Sequence, residues 1–453
     1  MLAGDVAESP FRYVELPSEE VARAICERAL LIRAIVEVWG EGDDAEGLKA
    51  AIAAYPSERK RAFLAPEATF KIEVEDFGVK GGSKHVVKRV DELGVEFTGK
   101  VDLTTPEHLF WCIASDVPDT NVGLPKTPKR MFFGRVIAQG DKASIHAYDL
   151  KQRKYIGPTS MNAEMSMLMA NMVRARPGGV VFDPFVGTGS LLIAAAHHGA
   201  LTMGLDIDVR VIKLGKSSES RKGKFGETAE DGSTVNVWTN FEQYNLTPPL
   251  ALVHGDLHAL PTRTFGLEGI LQGIVADPPY GVRAGGRKSG GRKQLPDDYT
   301  IPEDVRDAHI PSTGQYAFGE CMDDLMDFAA RFLEIGGLIC FFVPGEKGEP
   351  NPERELPTHP ALRLRWHSLE IFNTLWGRRL VTYEKIAPYD VEISRRARAV
   401  AVARRQASDE PDLIERMRAL VYAADRKKSR FAQRFATRSQ EEIDALRRAR
   451  KSS

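Results

Sequence analysis

The sequence is poor in the residues that disulfide-held or zinc-held domains depend on. Its 453 residues include four cysteines (Cys26, Cys112, Cys321 and Cys340), and none forms a C-x-x-C pair. This argues against a disulfide framework or a self-contained metal site and suits a reducing, cytoplasmic compartment. Cys321 and Cys340 read as ordinary helix and strand residues, with no histidine or acid visibly paired to them. Long apolar runs are missing too. The longest near-continuous one, Leu191–Ala196, falls far short of the ~20 residues that cross a bilayer, so no membrane partner is expected. The first residues, with Asp5 and Glu8, lack the basic-then-apolar start of a secretory leader. Net charge is also small, −1 overall.

What is present is globular composition, 43% hydrophobic and 28% charged, which excludes a disordered regulator. The length predicts two or three domains. The small net charge hides an asymmetry: Val391–Ser453 carries 17 basic against 9 acidic residues, so the remainder is net −9. A basic tail on an acidic body often touches nucleic acid, although a solvated helix has the same composition.

Residues 1–150 mix short strand-like runs with helical stretches. Val21–Val38 has helical spacing and then turns β-branched. Lys71–Val74, Val95–Phe97 and Phe132–Ile137 read as strands, and HLFWCIA after Pro106 reads as a helix with proline in its first turn. This is an α+β module. From 151 to 388 the rhythm becomes strand–helix alternation: GGVVFDPF, ALTMGLDID, LALVHGD, GIVADPPY and GGLICFFVP are apolar runs, most ending in acidic or turn residues. Helices at Gly189–His198 and Cys321–Leu333 lie between them. The pattern predicts an α/β fold with a doubly wound parallel sheet, closed by an antiparallel hairpin of Leu364–Ile371 and Leu380–Ile386. Residues 389–453 read as a basic helical extension.

Ligands of such a sheet bind beyond the carboxyl ends of its strands, so the post-strand loops should carry the chemistry. The first is Asp183-Pro-Phe185-Val-Gly187-Thr-Gly189. Its glycines admit close backbone approach, and the following helix N-terminus favours an anionic group. Leu192 stands where a dinucleotide fingerprint needs a third glycine, and Asp183 would repel a pyrophosphate but attract an ammonium. The second strand ends in Asp206, suited to ribose hydroxyls, and the third in Asp256, suited to an adenine amine. Together these acids describe a site for S-adenosylmethionine, with Thr159-Ser160-Met161 bordering its methionine end.

The fourth strand ends in Asp277-Pro278-Pro279-Tyr280. A nucleobase amine is a poor nucleophile because its lone pair is delocalised into the ring. The Asp277 carboxylate and Pro278 carbonyl can hold its two N–H groups, the prolines fix the carbonyl's direction, and Tyr280 offers a face for stacking. No metal or covalent nucleophile is required. The continuation, with Arg283, Arg287, Lys288, Arg292 and Lys293 among glycines and no acid, reads as a flexible cationic lid for an RNA backbone. These residues leave open whether the amine is guanine N2 in tRNA or rRNA, or adenine N6. A non-catalytic RNA-binding factor that keeps the fold is a further alternative.

These motifs, with YIGPTSMNAEMSMLMAN, VEFTGKVDLTTPEHLFW, FFGRVIAQG and WGRRLVTYEK, resemble the catalytic subunits of eukaryotic tRNA (guanine-10-N2) methyltransferases over about Phe11–Pro388. The resemblance implies a class I (Rossmann-like) methyltransferase sheet that uses S-adenosylmethionine. It also implies an N-terminal THUMP-like region that docks tRNA, and a small zinc-binding activator subunit as partner. It matches Asp183, Gly187 and Gly189 to the cofactor loop, Asp206 to the ribose ligand and Asp277–Tyr280 to the amine-binding motif. The strand near Leu250–His254, expected at the sheet edge and apolar enough to aggregate if bare, offers such a partner a place for strand addition.

Overall fold

The computed structural model describes residues 11–76, 83–114, 130–157, 159–212, 215, 232, 234–259, 268–281, 286–290, 300, 313–349, 351–373, 375–407 and 411–421. The chain divides after Ser144 into two units.

The first unit holds β1 (Ala34–Gly42), β2 (Thr69–Asp76), β3 (Lys100–Val101), β4 (His108–Ala114) and β5 (Met131–Gln139), in the order β1-β5-β4-β2-β3. The Val21–Val38 stretch splits as its pattern suggests. A helix over Glu19–Cys26 is capped by the Ser18 side chain, which accepts from the Val21 N–H, and β1 begins at Ala34. HLFWCIA, expected as a helix, is instead β4. It pairs in parallel with β2 and antiparallel with β5, and Phe110–Ala114 are all buried. A short run this apolar satisfies a strand flanked on both sides as well as it satisfies a buried helix, and the sheet decides. Val95–Phe97 forms no strand; Phe97 instead stacks on Phe70, ring centroids 4.3 Å apart. Trp39, Phe110 and Phe133 centre the core.

The second unit is built on β6 (Val180–Asp183), β7 (Leu201–Asp206), β8 (Ala251–His254), β9 (Leu271–Ala276), a small hairpin of β10 (Gly286–Ser289) and β11 (Thr313–Tyr316), then β12 (Leu333–Glu346), β13 (Leu362–Ile371) and β14 (Trp376–Lys385). The main sheet runs β13-β14-β12-β9-β6-β7-β8. Strands β12, β9, β6, β7 and β8 are parallel, whereas β13 and β14 close the sheet antiparallel, as expected. Every residue of β9 is buried, the mark of a strand covered on both faces. Cys321 lies in the Phe318–Phe332 helix and Cys340 in β12. The chain leaves β6 toward β8 and returns to the other side of β6 at β9. The switch point therefore falls between β6 and β9, where a doubly wound sheet opens a crevice.

The basic segment after Tyr280 departs from the expected flexible loop where it is described. Residues Gly286–Ser289 pair antiparallel with Thr313–Tyr316 as β10 and β11. Among the described residues, the tail beyond 388 packs on this unit through two helices. The Val391–Gln406 helix is capped by Asp390, and its Arg398 meets the buried Asp324 at 2.5 Å. A second helix, over 413–421, buries Ile414, Met417 and Val421 on one face. Among the described residues, no helix is long and apolar enough to cross a membrane.

Candidate active site

Four strand ends converge on one cleft of about 680 Å³, lined by Asp183, Asp206, Asp256 and Asp277 among others. In the loop after β6, Gly187, which lines the cleft, and Gly189, which does not, adopt positive φ, 51° and 83°. Gly189 then caps the Ser190–His197 helix, and a Cβ there would lie 2.7 Å from Val237 Cγ1. Glycine is needed for the backbone turn and for the space. The loop is tied to the end of β7: the Val186 N–H donates to the Leu205 carbonyl at 3.0 Å, and the Gly187 N–H to Asp206 Oδ2 at 2.9 Å.

Asp183 is 1% exposed. Its Oδ1 accepts the Phe185 N–H at 2.8 Å, while its buried Oδ2 has no hydrogen-bond partner. Burial raises the carboxyl well above its ordinary range, and Asp206 and Asp277 raise it further. A buried acceptor without a donor, amid other acids, is completed by a cationic donor such as an ammonium. Asp206 receives two backbone N–H groups, from Gly187 and from Asp208 at 2.8 Å, which leaves each oxygen a lone pair for hydroxyl groups. Burial raises its pKa, and these two N–H groups pull it back. Asp256 also accepts two backbone N–H groups, from His258 at 3.0 Å and from Ser289 of β10 at 2.6 Å.

Beside β6, Asp277 leaves β9, and Pro278, Pro279 and Tyr280 follow along the cleft. The Tyr280 hydroxyl donates to the Asp277 carboxylate. Arg378 of β14 lies 4.0 Å from the same carboxylate, salt-bridged to Glu370 at 2.5 Å and lying 3.8 Å over the Phe342 ring. Burial lifts the Asp277 pKa, and Tyr280 and Arg378 each lower it. Tyr280 is raised well above the usual phenol range by burial and by Asp277.

Comparison with known proteins bears on this arrangement. Residues 4–142 match the Tmrp11 THUMP N-terminal domain, and residues 151–295 match an RMKL-like methyltransferase domain. The chain is 36% identical over 386 residues to the tRNA (guanine(10)-N(2))-methyltransferase TRMT11 of Gallus gallus, covering 84% of this chain and 80% of that protein. The Homo sapiens protein of that name is 34% identical over 385 residues, covering 84% and 81%. That of Dictyostelium discoideum is 36% identical over 406 residues, covering 85% and 74%. The chain belongs to the tRNA (guanine(10)-N(2))-methyltransferase family.

In this member of the tRNA (guanine(10)-N(2))-methyltransferase family, Phe185, Gly187 and the Thr159-Ser160-Met161 segment line the same cleft as the four acids. Ser160 Oγ and Thr188 Oγ1 are 2.6 Å apart, joining that segment to the glycine loop. The basic residues divide. Arg287 is exposed and lines the cleft, whereas Lys288 is paired with Glu320 and lies 6.0 Å from the Tyr316 ring. That pairing draws Lys288 away from the role of a phosphate grip. Arg283, Arg292 and Lys293 lie outside the described residues.

Sequence reasoning missed Arg378, Phe372 and Trp376, which complete the rim. Phe372 is 47% exposed, with its ring 5.1 Å from that of Trp376. The available signal was WGRR itself, two adjacent arginines entering an otherwise apolar strand. The register of β14 on β12, which pairs Arg378 with Pro344, and of β12 on β9, which pairs Phe341 with Ala276, brings Arg378 near Asp277.

Proposed function

We propose that this chain methylates the exocyclic N2 amine of a guanine in tRNA, at position 10, as the catalytic subunit of a heterodimer. The relatives' names supply the base and the position. The observation that carries the chemistry is the pair of acids facing one cleft: Asp183, with a buried oxygen that has no hydrogen-bond partner, and Asp277, a carboxylate that accepts from the Tyr280 hydroxyl and has the Arg378 guanidinium 4.0 Å away.

S-adenosylmethionine, when bound, supplies a methyl group on an electrophilic sulfonium. Asp183 would hold its ammonium, Asp206 its ribose and Asp256 its adenine end, with Phe185, Gly187 and Gly189 shaping the wall. On the other side, Asp277 accepts one N–H of the guanine amine and the Pro278 carbonyl the second, with Pro279 stiffening the turn. The Tyr280 O–H gives way to the amine while its ring stacks on the base. A charge-assisted hydrogen bond contributes ~1.5–3 kcal/mol, whereas in-line positioning can contribute ~7–11 kcal/mol. Orientation is therefore the main task of Asp277, and acceptance of the departing proton its second. No residue acts here as a covalent nucleophile.

The N-terminal unit docks the tRNA in this reading, and Arg287 meets the phosphates beside the cleft. The small zinc-binding activator adds along β8. That strand pairs on one side with β7 and ends the sheet, with Leu250 57% and Val253 44% exposed. An apolar edge of this kind favours strand addition.

The test is nucleoside mass spectrometry of tRNA incubated with the chain, labelled S-adenosylmethionine and a candidate activator. N2-methylguanosine is expected. N6-methyladenosine, or label only in rRNA guanine, replaces the substrate, and no label with a competent activator removes the activity.

A further inference from the structure

The basic tail, which the sequence left between an RNA-binding helix and a solvated one, has a contact with a different meaning. Asp412 caps its second helix by accepting the Glu415 N–H at 2.7 Å. Met417 is fully buried, and Arg416 pairs with Glu346 at 2.9 Å and with Glu355. The helix thus docks by an apolar face and by ion pairs. Next on it, Arg418 donates from Nε at 2.9 Å and from Nη2 at 2.7 Å, both to the carbonyl of Gly281.

Gly281 directly follows Tyr280, lines the cleft and has φ of +74°. The Asp277–Tyr280 turn is gripped on entry by β9, whose Ala276 is fully buried. On exit the chain has left the sheet, and a left-handed glycine offers little resistance to rotation. A forked guanidinium holding that one carbonyl supplies the missing constraint.

We propose that the helix over 413–421 is a strut of the active site and that Arg418 is a positioning residue, fixing the exit of the amine-binding turn. It acts through Gly281 on the placement of Tyr280 and the Pro278 carbonyl, while the cofactor wall has no contact with it among the described hydrogen bonds. The inference rests on the reading of Asp277–Tyr280 as the amine-binding turn.

Turnover on tRNA and S-adenosylmethionine affinity are measured for wild type, Arg418→Ala, Arg418→Lys and Asp277→Ala. Misplacement of a reacting group by an ångström costs up to about 100-fold, so Arg418→Ala should lower kcat about 10- to 100-fold. Cofactor affinity should stay within about twofold, Arg418→Lys should fall between, and low-millimolar guanidinium should restore part of the Ala variant's rate without affecting wild type. Wild-type kcat in Arg418→Ala, or a loss that tracks cofactor affinity and melting temperature and resists guanidinium, overturns the proposal. Should Arg418→Ala be insoluble, Arg418→Gln, which keeps one donor, is read by the same criteria. Asp277→Ala separates the two failures. If it is inactive while Arg418→Ala is normal, only the strut falls; if it turns over normally, the reading of the turn falls and the strut with it.

Discussion

Asp206 and Asp277 end two strands of one sheet, face one cleft and are both raised in pKa by burial, yet their partners differ in kind. Asp206 is held by the backbone N–H groups of Gly187 and Asp208, which cannot leave without unfolding the loop. Asp277 is held by the hydroxyl of Tyr280 and faced by the guanidinium of Arg378, which can rotate away. The cofactor wall is thus prebuilt, and the target wall carries an exchangeable donor where an incoming amine would bind. A site that takes a small ligand first and a macromolecular base second gains from that division. Rigidity lowers the ordering cost for the first ligand, and a displaceable donor keeps a half-buried carboxylate satisfied until the second arrives.

The sharpest way to break this comparison is to remove each carboxylate. Asp277→Ala should lower kcat by about 10²–10⁴-fold, the range for loss of a positioned acid–base group, while calorimetry shows cofactor affinity within about threefold of wild type. Equal loss of affinity would mean that the two walls are one. Asp206→Ala should do the reverse. Losing one charge-assisted hydrogen bond weakens cofactor affinity about 10- to 100-fold, with kcat at saturation close to wild type. Unchanged affinity would remove Asp206 from the cofactor site. Tyr280→Ala tests the stacking half of the target wall. A base–aromatic contact of ~1–3 kcal/mol predicts about a 5- to 100-fold rise in the KM for tRNA, with Tyr280→Phe keeping most of the affinity. If Phe and Ala behave alike, the hydroxyl rather than the ring does the holding.

Much of this was legible in the sequence, and the limits have physical causes. The strand-end acids and the left-handed glycines were readable because short apolar strands announce their own ends and Gly187 and Gly189 interrupt a helix start. The parallel order followed from the same alternation, and the edge position of β8 from the resemblance to a class I methyltransferase sheet. The donors to each acid were not readable. Gly187 finds Asp206, and Ser289 finds Asp256, only after strands far apart in sequence are laid side by side. HLFWCIA failed because an all-apolar run carries no period, so its neighbours in the sheet decided its form. The pairing of the tail's charges was hidden for a different reason. Its charge was plain, but Arg398, Arg416 and Arg418 are spent on Asp324, Glu346 and the Gly281 carbonyl. Composition counts charges and cannot show which are already paired.

The smallest expected effect is a displacement of the acid limb of the pH profile, and it probes the exchangeable donor directly. The reactive form of Asp277 is the carboxylate, and burial raises its pKa, so kcat/KM should fall at a higher pH than an exposed aspartate would give. The Tyr280 hydrogen bond stabilises the charged form and pulls that pKa down. Removing it in Tyr280→Phe therefore moves the limb to still higher pH. Arg378→Gln moves the limb in the same direction, since the neighbouring positive charge is lost. Asp206→Ala leaves the limb where it is, because the groups that shift Asp277 are Tyr280, Arg378 and Glu370. A limb that shifts for Asp206→Ala and stays fixed for Tyr280→Phe would assign the titrating group to the cofactor side and reverse the roles given to the two acids.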